Sequence, residues 1–278
     1  MSLPPGAEVL RRVGGGDIND AFHVVLADGT EAFVKTRSQS VPGEYAGEAA
    51  GLEWLGEAGT VRVPRVLDVG DSYLALEWIE PGRLSAQGIE DFGRGLAGLH
   101  AAGAPRFGAP REGGEEPRFG SLALSNEPAD DWPTFYAERR LLPLTRIGAE
   151  RGVLSPGGVA AIESVCERLP ELCGPPEPPA RLHGDLWHGN VMGGDDGGAW
   201  LIDPSAYGGH REIDLAMLRL FGAPSERVFE NYDEVAPLAD GAPDRVGLYQ
   251  LLPLLVHALL FGGSYVSSAE QMAARYAR

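Results

Sequence analysis

One run of eight residues, His183-Gly184-Asp185-Leu186-Trp187-His188-Gly189-Asn190, carries more potential chemistry than any other stretch of this chain. It fits the pattern His-x-Asp-Leu-x-x-x-Asn, with the Asn five positions after the Asp, as in phosphoryl-transfer catalytic loops. The spacing has a reason. An Asp in that place can accept the proton of an attacking hydroxyl, while an Asn one short turn later folds back toward a cation held by phosphates. Thirteen residues beyond Asn190, Asp203 ends the apolar run Trp200-Leu201-Ile202. A carboxylate there can hold Mg²⁺ across the β- and γ-phosphates. Mg²⁺ takes oxygen ligands and often uses only one or two protein groups, so Asn190 and Asp203 would suffice. Each feature has a bland counterpart, since Asp, His and Asn are common loop residues and an Asp before Pro204 often starts a turn. Their order and spacing together favour catalysis, with Asp185 as the base.

A phosphate-handling set is expected earlier in the chain. Gly14, Gly15 and Gly16 can present backbone N–H groups to phosphates, although the run is neither Gly-x-Gly-x-x-Gly nor a Walker loop. Of the 23 basic residues, 22 are Arg, and Lys35 is the one Lys. An ammonium on a flexible stem does not act like a planar guanidinium. On the strand leaving the glycine-rich turn, Lys35 could reach the α- and β-phosphates; a solvated strand lysine is the bland alternative. Its anchor is expected to be Glu48, which lies at the end of a helical apolar stripe with Leu52 and Leu55, whereas Glu44 and Glu53 read as solvated. At the segment Leu76-Glu77-Trp78-Ile79-Glu80, adenine would be read by the Glu77 carbonyl and the Ile79 N–H, so side chains there say little. Trp187 has two readings, core filler or a ring that stacks on substrate. His188 reads as structural, and Asp214 as a hydrogen-bonding brace for the catalytic loop.

Composition bounds the alternatives. The chain has 278 residues, a formal charge of −17, 44% hydrophobic and 23% charged residues. That length allows two domains or one unit with two lobes, and the balance is that of a soluble globular protein. A nucleic-acid partner is disfavoured because phosphates need a basic patch, and no Lys/Arg run exceeds two residues. An anionic membrane surface is disfavoured for the same reason. Residues 1–16 have no apolar stretch like a signal peptide, and the most apolar window, 251–261, is too short to span a bilayer. Cys166 and Cys173 cannot build a disulfide framework and read as small apolar residues on one helix face, as expected in a reducing cytoplasm.

The elements that must position these residues follow from periodicity. Strands are expected at 8–13, 21–26, 31–36, 65–69 and 73–78, the second and third joined by an Asp28-Gly29 hairpin turn. A helix is expected over 44–58 and another, led by Ser85, to about 102. Pro81-Gly82 breaks the pattern and marks the expected boundary, giving a nucleotide-binding lobe at 1–80 and a catalytic, substrate-binding lobe at 81–278. Residues 103–131 are long, Gly- and Pro-rich and without period. Helices follow at 132–148 and 156–172, short strands within 181–192 and 199–203, and mainly helix from 212 onward.

The whole set resembles the fructosamine kinase (ketosamine 3-kinase) family, within the aminoglycoside-phosphotransferase and protein-kinase-like superfamily. The resemblance rests on 14–19 with Ala21-Phe22, on Phe33-Val34-Lys35, on Glu48-Ala49-Ala50-Gly51-Leu52 and on the 183–190 loop. It extends through Ile202-Asp203-Pro204, Tyr207-Gly208, Arg211-Glu212-Ile213-Asp214-Leu215-Ala216-Met217 and Phe261-Gly262 before Tyr265. It implies an α+β, protein-kinase-like two-lobed fold, with a small antiparallel sheet and one helix in the first lobe and a larger, mainly helical second lobe. It also implies ATP- and Mg²⁺-dependent phosphorylation of the sugar 3-hydroxyl of ketoamines, free or protein-bound, a deglycation step in which the phosphorylated adduct then releases its amine. Lys35 and Glu48 would then be the phosphate clamp, Asp185 the base, and Asn190 and Asp203 the metal ligands. Eukaryotic members often carry a Cys in the glycine-rich loop; the corresponding segment here has Asp17 and no Cys, so thiol control is not expected. Gly184 replaces the Arg that meets a phosphorylated activation loop in protein kinases. The alternatives are an aminoglycoside- or choline-type small-molecule phosphotransferase and a non-catalytic nucleotide-binding module. A monomer is the expected state.

Overall fold

In the computed structural model, residues 3–14, 20–37, 41–109, 118–119 and 122–278 are described. Strand β1 (Glu8–Val13) pairs antiparallel with β2 (Asp20–Val25), and β2 with β3 (Glu31–Thr36). The turn between β2 and β3 puts Gly29 at φ +87, and the Asp28 carboxylate accepts the Thr30 N–H at 2.9 Å. Helix α1 (Glu44–Gly56) follows, and β4 (Val66–Gly70) and β5 (Tyr73–Glu77) complete a sheet ordered β1-β2-β3-β5-β4. Strand alternation separates its two faces. Phe22, Val24, Ala32, Val34 and Ala75 pack together on one. Phe33, Leu74 and Leu76 face Tyr45, Ala49 and Leu52 of α1 on the other. Lys35, two residues from Phe33, therefore points to the helix side.

Helix α1 is apolar on two sides, and each side has a use. Trp54 and Leu55 leave the sheet and join Leu96, Leu99, Leu186, Leu215 and Leu218 of the second lobe. A helix buried on both flanks ties the lobes into one body.

The chain reaches the second lobe where the Gly82 N–H donates to the Gly193 carbonyl at 2.8 Å. Helix α2 (Ala86–Ala101) starts at Ser85, whose hydroxyl accepts the Gly88 N–H at 2.9 Å. Next come a short ribbon, β6 (Arg118–Phe119) with β7 (Leu122–Ala123), and helix α3 (Trp132–Tyr136). The single helix expected over 132–148 is interrupted by a π turn at Ala137–Leu141 before α4 (Leu142–Glu150). Pro143 has no N–H for the Arg139 carbonyl, which instead accepts the Arg140 guanidinium at 3.0 Å. Helix α5 (Pro156–Leu172) leads to β8 (Ala180–Leu182), β9 (Val191–Gly193), β10 (Ala199–Leu201) and β11 (Tyr207–Gly209). Here β8 pairs with β11 and β9 with β10. Helices α6 (Glu212–Phe221), α7 (Arg227–Val235), α8 (Ala242–Phe261) and α9 (Ser264–Tyr276) close the fold. The result is the α+β, two-lobed arrangement expected.

The aperiodic 103–131 segment is tied down among its described residues. Phe107 and Gly108 form bridges to Ala129 and Gly208, and the Ser125 carbonyl and Asn126 side chain accept from Arg140 at 2.8 and 2.6 Å. Arg140 is fully buried between the Phe135 and Tyr207 rings, a cation stacked where its two terminal nitrogens also find oxygens. The apolar stretch at 251–261, read as too short to span a bilayer, is the end of a 20-residue helix long and apolar enough to do so. Of its most apolar window 67% is buried inside this fold, packed on α6 and α9.

Candidate active site

The catalytic loop is set by hydrogen bonds that leave its backbone little choice. Asp214, in the first turn of α6, is fully buried and accepts the N–H groups of His183 at 2.8 Å and Gly184 at 2.9 Å. His100 of α2 donates Nε2–H to the same carboxylate at 3.2 Å and accepts the Tyr232 hydroxyl at its Nδ1, at 2.8 Å. Asp214 is thus the brace expected, and His100 and Tyr232 extend it. The 183–184 turn needs glycine: Gly184 sits at φ +82, and a Cβ there would lie 2.0 Å from the Ser205 carbonyl oxygen. His183 donates Nε2–H to the Ile202 carbonyl at 2.9 Å and accepts the Asp185 N–H at Nδ1, at 3.3 Å. Burial holds its imidazole below the usual His range, so it serves as a neutral strut between the loop and the Asp203 strand.

Asn190 gathers the acidic groups. Its Nδ2 donates to the Asp185 carbonyl at 2.8 Å and reaches the Asp185 carboxylate at 3.4 Å and the Asp203 carbonyl at 3.5 Å. With the amide nitrogen so engaged, the amide oxygen is the atom left for a cation. Asp203 is the one described non-glycine residue with positive φ, at 53°. That conformation is costly for a residue with a Cβ and turns the carboxylate toward Lys35.

From the other lobe, Lys35 Nζ donates to Asp203 Oδ1 at 2.9 Å and forms an ion pair with Glu48 Oε2. The expected anchor is the one found. Burial opposes the Lys35 charge, but Asp203 and Glu48 outweigh it and raise the ammonium above its usual value. The charge of Lys35, working against burial, holds Asp203 below the ordinary carboxylate range. Burial pushes the Glu48 carboxyl up to about 7 against the pull of Lys35, and its Oε1 has no hydrogen-bond partner among the described residues. Burial, then the charges of Asp203 and Asp214, push Asp185 up to about 7. Two carboxyls compete here for one ammonium. A hard cation on Asp203 and the Asn190 oxygen suits this donor set and would relieve the repulsion that Asp185 feels. Among the described residues there is no cluster of three or more His, Cys, Asp or Glu that could hold a metal.

The other expected residues fall as follows. Gly14 lies at the end of β1, with open space where a Cβ would be; Gly15 and Gly16 lie outside the described residues. Glu77 ends β5 opposite Ala32, and its carboxylate accepts from Arg65 backbone and side chain at 3.2 and 3.0 Å. Ile79 is half-buried just beyond. The side chains between are not idle: Trp78 stacks on His23 of β2 at 3.6 Å, with the Arg11 guanidinium 5.4 Å from its ring. No spacing in the sequence signals that contact, because strand pairing creates it. Trp187 is half-buried, and its ring covers the α-carbon of Gly189, where a Cβ would lie 2.4 Å from the indole. His188 engages the Phe221 carbonyl through Nδ1 at 3.0 Å, a structural role. Glu53 is exposed, but Glu44 is not solvated as expected; it pairs with Arg37 and accepts the Val41 N–H at 3.2 Å.

Comparisons with known proteins converge. The model of the fructosamine kinase family matches residues 6–278. A Synechocystis protein named a probable ketoamine kinase is 35% identical over 269 residues, covering 94% of this chain and 88% of its own. A crystal structure from Thermobifida fusca, solved as a candidate fructosamine-3-kinase, is 45% identical and superposes with a TM-score of 0.89, over 98% of this chain and 93% of that one. At 17% identity an aminoglycoside phosphotransferase, solved with ADP and hygromycin B, shares the fold with a TM-score of 0.66, over 98% of this chain and 94% of that one. The family match runs over nearly the whole chain, to residue 278. The chain therefore belongs to the fructosamine kinase family and is an ATP-dependent phosphotransferase.

Proposed function

We propose that this chain phosphorylates the sugar 3-hydroxyl of ketoamines, fructosamines or ribulosamines, free or protein-bound, as a deglycation step. The observation that carries the reading is the meeting of Lys35 and Glu48 with Asp203, and of Asp203 with Asp185 through Asn190, in one cleft. Residues 1–80 form the nucleotide-binding lobe and 81–278 the catalytic and substrate-binding lobe. The Glu77 carbonyl and Ile79 N–H take the adenine edge, and the glycine run 14–16 is assigned by its sequence to the phosphates. Lys35, oriented by Glu48, places the α- and β-phosphates. Asn190 and Asp203 would hold Mg²⁺, which when bound neutralises charge on the β- and γ-phosphates.

The acceptor hydroxyl oxygen attacks the γ-phosphorus in line, its proton passes to Asp185, and the bond from the γ-phosphorus to the β,γ-bridging oxygen breaks to release ADP. A carboxyl poised at about 7 fits this task, being half ionised near neutral pH and yet basic enough to take a proton. Trp187, with part of its ring exposed beside the base, packs against the apolar face of the sugar. The enzyme is a cytoplasmic monomer that uses neither nucleic acid nor membrane.

The test is phosphate transfer from ATP with Mg²⁺ to ribuloselysine, fructoselysine, kanamycin and choline in parallel, with the phosphorylated carbon located by NMR. Transfer to C3 of a ketoamine is expected. Preferred turnover of kanamycin or choline would replace this reading, and nucleotide binding without transfer to any acceptor would reduce it to a binding module.

A further inference from the structure

A second recess lies on the far side of the helical lobe. It is a cavity of about 640 Å³ between α3, the C-terminal end of α5 and the proline-rich 174–179 segment. That volume is in the range of small-ligand sites, roughly 300–1,000 Å³. It is separate from the cleft. Pro179 and His210 border it at one end of the β8–β11 ribbon, and the catalytic loop leaves from the other end at His183. Three strand residues lie between, about 10 Å at ~3.3 Å each.

Its chemistry is one-sided. Asp130, Asp131, Glu138 and Glu167 stand exposed around the mouth, Asp131 accepting the Thr134 N–H at 2.8 Å and Glu138 paired with Arg139 at 3.0 Å, and among the described residues no Lys or Arg lines it. Glu177 lines it too, but is engaged by Arg211 with two bonds of 2.8 Å. Carboxylates alone would be unremarkable on a chain of charge −17. A second observation points to a ligand. Trp132, 4% exposed, forms part of the wall, and its indole N–H is buried with no acceptor among the described residues. Buried donors are normally paired, and an orphan is costly, so this one calls for an oxygen from outside. Phe107 and the prolines at 133, 170 and 176 give the remaining walls an apolar character suited to a methylene chain.

We infer that this cavity binds a lysine side chain presented by a peptide, the ammonium among the mouth carboxylates and a neighbouring carbonyl oxygen on the Trp132 indole N–H. The inference is independent of which acceptor is phosphorylated in the cleft.

The test uses the full-length ¹⁵N-labelled protein and the probe Nα-acetyl-lysinamide, with Nα-acetyl-norleucinamide as its uncharged counterpart. The indole resonance is assigned by triple-resonance spectra and by its loss in Trp132→Phe. The lysine probe is expected to shift that resonance downfield and saturably, undisturbed by a non-hydrolysable ATP analogue with Mg²⁺. The combined variant Asp130→Asn, Glu138→Gln, Glu167→Gln should weaken binding at least tenfold and leave the basal kinase rate unchanged. Equal binding of both probes would overturn the inference, as would affinity unchanged in the triple variant. A shift confined to the Trp187 indole and abolished by the nucleotide analogue would place the probe in the catalytic cleft and overturn it as well.

Discussion

Replacing Asp185 with Asn removes a charge that the fold holds at a cost, so the variant should lose turnover and gain stability. Burial, then Asp203 and Asp214, lift the Asp185 carboxyl from 3.8 to about 7. A rise of about three units corresponds to a ceiling of roughly 4 kcal/mol against the ionised form. The folded protein binds this proton more tightly than the unfolded chain. The penalty is therefore absent below about pH 4, grows as pH rises through the interval, and is complete above about pH 7. Asn keeps the shape, and its amide oxygen can still accept from Asn190, whose Nδ2 lies 3.4 Å from the Asp185 carboxylate. By calorimetry without nucleotide or metal, Asp185→Asn should melt higher than the wild type by up to ~8 °C at pH 8, at roughly 2 °C per kcal/mol for a chain of this size. At pH 5 the gain should be less than about half as large. Turnover, followed by coupled ADP release, should fall by about 10²–10⁴-fold, the usual worth of a positioned base. A melting difference that is constant from pH 5 to 8, or a less stable variant, would refute the claim of a strained charge. Near-normal turnover would remove Asp185 from the base role.

The remaining expectations follow from the same geometry. In the wild type, kcat/KM should rise with pH and level off above about 7 as the free enzyme's Asp185 ionises; a profile flat from pH 5 to 8 would contradict the upward shift. Asp214→Ala strands the buried N–H groups of His183 and Gly184 and should cost about 3–5 kcal/mol, read as a fall in the urea midpoint. Lys35→Met should lower kcat/KM by roughly 10²-fold through lost phosphate placement, with Asp203 freed to titrate nearer its ordinary value by NMR. ATP and Mg²⁺ together should raise Tm more than the summed effects of each alone, with the stabilisation growing as ligand exceeds Kd, about 2.7 kcal/mol at 100-fold excess. Equal effects of ATP with and without Mg²⁺ would argue against a metal on Asn190 and Asp203.

Much of the fold was legible along the chain because its signals are local. The strands Glu8–Val13 and Glu31–Thr36 and the helix Pro156–Leu172 fall where alternation, turn residues and helical spacing place them. The π turn at Ala137–Leu141 was not legible, because Pro143 allows either a kink or a repaired helix and packing of Arg140 decides between them. Glu44 misled for a similar reason: its helix position reads as solvated, but Arg37 folds back onto it.

The catalytic loop was readable because a five-residue spacing can be chemically meaningful by itself, and Glu48 because helical periodicity marks the buried face. By its order of residues the chain thus determined its elements, its family and the candidate groups Lys35, Glu48, Asp185, Asn190 and Asp203. Only the tertiary structure decided that Lys35 and Asp203, 168 positions apart, share a hydrogen bond. It alone placed His100 and Tyr232 behind the Asp214 brace, stacked His23 on Trp78, and left the Trp132 indole N–H without an acceptor among the described residues. Local propensity and spacing act over a few residues, whereas ion pairing, desolvation and shifted proton affinities depend on distances that exist only once the two lobes have packed.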